Sequence, residues 1–235
     1  MKIFFFFLAS VGIALGEQKE RIEIARTDRV VEGWMVRVDD RLLPEGEFHE
    51  EFGERALSLL RANLIQIRML VPEPQLSALR KVVIVVDEHP KLNAAQYHPS
   101  KDWLVGEGYE PALAKCVHLS KASFFASPAI VFQQQWVTLH ELAHAYHDQV
   151  LGWDYPALKE AFAEASQEGQ YEEVAHIGGQ SKRHYALTNH KEYFAEATEA
   201  WFGRNDFYPF VRPELKEHDP RLYEVIESIW GSEAK

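Results

Sequence analysis

One stretch of the chain sets a glutamate and two histidines at a spacing suited to metal chemistry: Trp136-Val-Thr-Leu-His140-Glu141-Leu-Ala-His144-Ala-Tyr-His147-Asp148. Its residues read as helix, and a turn of about 3.6 residues brings His140 and His144 onto one face. Two imidazoles in that relation close on one tetrahedral zinc ion and leave room for a third protein ligand and a water. Glu141, beside His140, is placed to take that water's proton. His147 stands about 10 Å along the axis from His140, out of reach of the same ion.

A catalytic zinc takes a third protein ligand. A histidine six residues past His144 would make a metzincin, but Val150 occupies that position. Asp148 and Asp154 lie on or just past the same helix. The better candidate is Asn189-His-Lys-Glu192-Tyr-Phe-Ala-Glu196, in which Glu192 and Glu196 share one helix face among apolar and aromatic neighbours. A carboxylate pair on such a face is costly unless something compensates it. Zinc at Glu192, with Glu196 accepting the second N–H of a ligating histidine, supplies that compensation. The other reading of these residues is a capping-box-like helix start at Asn189, with Glu196 in solvent.

Together, His140-Glu-Leu-Ala-His144 and Glu192-Tyr-Phe-Ala-Glu196 resemble the gluzincin metallopeptidases, the anthrax lethal-factor-like branch in particular. That branch carries a Tyr-x-x-x-Asn-x-x-Glu-aromatic-Phe-Ala-Glu signature, and the chain reads Tyr185-Ala-Leu-Thr-Asn189-His-Lys-Glu192-Tyr-Phe-Ala-Glu196. The resemblance covers about residues 136 to 200. It implies His140, His144 and Glu192 as zinc ligands and Glu141 as general base. It further implies Tyr185 as the hydroxyl donor to a developing oxyanion and Glu196 as a support behind the ligands. The fold it implies is a zincin-like α+β domain, a small sheet with helices followed by a helical C-terminal half.

The elements that must position these groups follow from pattern. Residues 21–25 and 30–38 alternate as two strands of a ribbon with Thr27-Asp28-Arg29 at the turn. Apolar positions from Glu47 to Leu70 have helical spacing, ended by Pro72 and Pro74. Lys81 to Val86 and Ala114 to Leu119 read as strands, with a structured loop over residues 91–113 and a connection from Ser120 to Gln135. The segment from Cys116 to Leu119, just before the metal helix, is where gluzincins typically offer an edge to an extended substrate, and His118 on it reads as a surface or substrate-facing residue. The metal helix runs to about Leu151 and stops at Gly152. Further helices are expected from Pro156 to Gln167, over Tyr171 to Ile177, from Asn189 to Phe202, and from Asp219-Pro220 to Trp230. Trp136, Tyr146, Phe194 and Trp201 read as core, His184 and His190 as solvated loop or cap residues, and Cys116 as a buried thiol.

Composition narrows the function. Met1 to Gly16 has one positive charge, a short apolar run and small residues at its end, the form of a secretory signal cleaved before Glu17. The rest fits a single catalytic domain over residues 17–235, exported to the periplasm or outside the cell, with no membrane insertion after signal removal. A net charge of -11 argues against nucleic acid and anionic membranes as partners. With one cysteine the domain has no internal disulfide. The expectation is a zinc metallopeptidase acting on peptide or protein substrates. Its rivals are a non-catalytic zinc-holding binding module and a zinc hydrolase of a non-peptide bond. Oligomeric state is not encoded.

Overall fold

The structure, a computed structural model, describes residues 22–231; the signal-like segment 1–16 lies outside them. Strands β1 (Arg26–Val31) and β2 (Trp34–Asp39) pair antiparallel. Their turn is Glu32-Gly33 rather than Thr27-Asp28-Arg29. Both turn residues take positive φ, 51° and 96°, which a two-residue hairpin connection demands, while Thr27 to Arg29 stay paired with β2. A wide helical turn over His49–Gly53 leads into α1 (Glu54–Leu70), which ends just before the two prolines. A short α2 (Gln75–Leu79) precedes β3 (Ile84–Val86). The expected loop after Lys91 contains a strand, β4 (Ala95–Tyr97), and a helix, α3 (Lys101–Gly106), capped by the Ser100 hydroxyl. After β5 (Val117–Leu119), the connection to the metal helix is itself two short helices, α4 (Ala122–Phe125) and α5 (Pro128–Gln133).

The sheet order is β1-β2-β3-β5-β4, with β2, β3 and β5 parallel and antiparallel strands at both edges. Ile84, Val86, Val117 and Leu119 face the main core with α1. Val85 faces the other way, packing with Leu104, Leu113 and Cys116. β5 is therefore an interior strand, and the expectation of an edge at Cys116 to Leu119 is corrected: β4 pairs along its open side and becomes the edge. His118 is fully buried, not at the surface. Its Nε2 lies 2.8 Å from Asp87, its Nδ1 3.2 Å from His98 Nε2, and Asp87 also accepts two hydrogen bonds from Arg26.

The C-terminal half is helical. α6 (Val137–Tyr146) carries the metal motif and widens over His147–Leu151 before stopping at Gly152. α7 (Pro156–Glu168) follows. Tyr171 to Ile177, expected as helix, instead begins a small hairpin, β6 (Val174–Ala175) with β7 (Ser181–Lys182), because Gly178-Gly179 turns the chain back on itself. α8 (His190–Phe202), α9 (Arg212–His218) and α10 (Pro220–Trp230) complete the α+β fold. α6 packs on β4 and β5 on one side and on α8 on the other. At the end of α8, Gly203 lies under the Trp136 indole, where an added Cβ would come within 2.0 Å of the ring. α10 backs α8: Phe194 stacks on Trp230 at 5.7 Å, and the Trp230 indole N–H donates to the Thr198 hydroxyl at 2.9 Å.

His147 is fully buried where α6 widens, between Trp153, His190 and Phe194, and neither ring nitrogen has a hydrogen-bond partner. Burial, followed by the neighbouring His190, pushes its pKa down to about 3. The folded chain keeps this ring neutral, whereas the unfolded chain protonates it near 6.5, so its effect on stability is absent above that pH and grows as pH falls towards 3. Replacing it in a His147→Phe variant is expected to improve stability relative to the parent by about 2 kcal/mol more at pH 5 than at pH 8. Urea unfolding at both pH values measures this, and a pH-independent difference contradicts it.

Candidate metal centre

The motif residues meet α8 at its first turn. The Asn189 side chain accepts from the backbone N–H groups of Lys191, at 2.9 Å, and Glu192, at 3.1 Å. This cap leaves the Glu192 carboxylate on the first turn, where the helix N-terminus favours negative charge. The cap therefore does not exclude a ligand role for Glu192.

Glu192 Oε2 lies 3.2 Å from His140 Nε2 and 3.3 Å from His144 Nε2. Ligand atoms about 2.0–2.1 Å from a tetrahedral zinc ion stand about 3.3 Å apart. On its other nitrogen, His140 Nδ1 is 2.7 Å from Glu199 Oε1. In the tautomer whose Nδ1–H donates to Glu199, His140 turns its Nε2 lone pair towards Glu192. Acceptor atoms converging in this way need a cation among them, and two imidazoles with one carboxylate form a donor set that suits zinc. Burial pulls the His140 pKa down, but its hydrogen bonds to Glu192 and Glu199 outweigh burial and raise it well above 6.5. For Glu192 burial works upwards, and the facing His144 and His140 hold the carboxyl well below the usual carboxylate range.

Glu141, close enough to His140, His144 and Glu192 to feel their charge, also meets the sheet. Its Oε2 accepts from the backbone N–H of Tyr97, on the edge strand β4, at 2.7 Å. Burial raises its carboxyl pKa, against the pull of His140 and His144. The result is a buried carboxylate more basic than one in water, a property suited to accepting a proton. Tyr97 is held in turn: its hydroxyl donates to Asp148 at 2.6 Å and accepts from Gln149 at 3.0 Å.

The structure thus joins His140, His144 and Glu192 and leaves Glu141 beside them. It assigns the hydrogen bond expected of Glu196 to a different residue. Glu196 Oε1 is 3.8 Å from His140 Nδ1, while Glu199 makes the close contact. Glu199, seven residues past Glu192, returns after two turns almost to the same direction, whereas Glu196 is rotated about 40° away. That spacing was the available signal for Glu199. Tyr97 had none, since its role comes from a backbone N–H. Tyr185 is half-buried on a short 3-10 segment (Tyr185–Thr188) that leads into α8. His184 is buried and caps that turn through Ala186 N, and His190 bonds the Trp153 carbonyl at 2.7 Å, so neither is a solvated histidine.

The chain was compared with protein-family models, curated proteins and solved structures. None matches.

The geometry predicts which acid supports the ligands. Glu199→Gln is expected to weaken zinc binding roughly 10–100-fold, and Glu196→Gln to weaken it less. Competition with a chromophoric chelator measures both, and a larger loss in the Glu196 variant reverses the assignment.

Proposed function

We propose that this protein is an exported zinc-dependent peptidase of the gluzincin type, with a zincin-like fold, hydrolysing peptide or protein substrates. The observation that carries the reading is the approach of Glu192 to both motif histidines at 3.2 Å and 3.3 Å, with Glu141 next to them and tied to the sheet edge.

His140, His144 and Glu192 would hold the ion. When bound, zinc supplies a Lewis acid that makes water acidic near neutral pH and polarises a carbonyl. The remaining steps belong to the chain. Glu141 takes the water's proton and returns it to the leaving amine, with no acyl-enzyme on the way. Glu199 fixes the tautomer and orientation of His140. Tyr185, by the resemblance, donates its hydroxyl proton to the oxyanion that develops on the scissile carbonyl. β4 is the strand an extended substrate would pair with, replacing the β5 segment in that role. A purely structural zinc centre closes its fourth position and needs neither a neighbouring base nor an oxyanion donor, and this favours catalysis over the binding-module reading.

The test is cleavage of a mixture of unstructured peptides by the zinc-loaded protein, read by mass spectrometry. Cleavage that a chelator abolishes and that falls roughly 10²–10⁴-fold in Glu141→Ala is the expected result. A protein that holds one zinc per chain and cuts no peptide contradicts it.

A further inference from the structure

The open edge of β4 does not end at the metal. Tyr97 directs its N–H away from β5, where it meets Glu141. By the two-residue repeat of an antiparallel pair, Ala95 offers its N–H and C=O to the same outer side, about 7 Å further from the motif helix's glutamate. Beside Ala95 a narrow apolar depression opens against Phe124, Ile130 and Val137. Next to it lies a cavity of about 500 Å³ between α1, at Leu59 and Ala62, and α5, at Val131 and Phe132. Phe125, Ile130, Gln134 and Val137 line both, so the two adjoin along α5 and the start of α6, and together they are termed the cleft.

Three exposed apolar side chains stand on its rim, Phe124 at 39%, Val131 at 40% and Phe132 at 56% accessible, while Asn63, Gln66, Gln135 and Arg204, whose guanidinium lies over the Phe132 ring, add polar groups to the wall. Apolar side chains clustered in this way mark a binding surface, and the volume falls within the range of ligand pockets. The occupant follows from continuity. A chain paired to β4 over Glu141 and extended past Ala95 enters the cleft, and only a chain with bulky apolar side chains there recovers the buried area the rim offers.

We propose that this cleft is a specificity site, taking bulky apolar side chains of the extended peptide several residues from the bond positioned at Glu141. The proposal rests on the peptidase reading for its substrate, but the cleft itself can be tested without turnover.

Two fluorescein-labelled unstructured ten-residue peptides serve as probes, one with a phenylalanine pair near each end and one with serine in those places. Their binding to the zinc-loaded Glu141→Ala protein is followed by fluorescence anisotropy, and their cleavage by the active protein is followed in parallel. Two cleft variants are compared: Ala62→Trp, which fills the cavity from an exposed helix position, and Phe132→Ser, which removes the exposed rim. The phenylalanine peptide is expected to bind at least about tenfold more tightly, and Ala62→Trp to bring that advantage to within about twofold, with Phe132→Ser reducing it. In cleavage the same advantage is expected in KM rather than kcat. Equal binding of the two peptides, or a preference that survives Ala62→Trp, overturns the specificity site even if both peptides are cut. A binding preference erased by Ala62→Trp, with no cleavage of either peptide, upholds the cleft and rejects the peptidase reading instead.

Discussion

The arrangement depends on one electrostatic constraint, the burial of Glu192 and Glu199 on either side of His140. Two carboxylates on one helix face among apolar neighbours are costly to desolvate, and they are tolerable only with positive charge between them. His140 answers both, donating from Nδ1 to Glu199 and facing Glu192 through Nε2. That contact fixes how α6 lies on α8. The rest of the helical half reinforces the crossing, from Gly203 under the Trp136 ring to Trp230 braced on Phe194 and Thr198.

The sheet contributes through its edge. β4 is only three residues long, yet it reaches the motif twice, by the Tyr97 N–H to Glu141 and by the Tyr97 hydroxyl to Asp148. Lys115, in the turn before β5, donates to the same Asp148, so the end of α6 and the sheet edge are tied at two points. On the far face, Arg26 holds Asp87, Asp87 holds His118 and His118 meets His98. This buried chain ties β1, β3, β5 and the end of β4 together beneath α3. The side that meets the motif helix is thereby supported from behind by polar contacts that are satisfied without solvent.

What could be read from the sequence was local. The two histidines one turn apart, the Asn189 cap and the helix starts at Pro156 and Pro220 are each decided within a few residues, and each element lies where its signal put it. The misses were decided by distant partners or by backbone conformation. β4 has no alternating pattern of its own and exists because β5 offers a pairing edge. The hairpin turn moved to Glu32-Gly33 because that pair takes left-handed φ, while Thr27 to Arg29 extend the strand. Tyr171 to Ile177 had apolar residues at helical spacing, but the glycine pair after it closes a hairpin instead. Glu199 outcompeted Glu196 by an angular difference that only the crossing of two helices resolves.

The central claim is a three-ligand zinc site with one open position, and X-ray absorption at the zinc edge of the loaded protein tests it most directly. The account predicts two imidazole nitrogens, one carboxylate oxygen and one further light atom at about 2.0–2.1 Å. It also predicts loss of one imidazole contribution or of the metal itself in His144→Ala. A sulfur ligand from Cys116, or a zinc environment unchanged in His144→Ala and Glu192→Gln, would place the metal elsewhere and contradict the account.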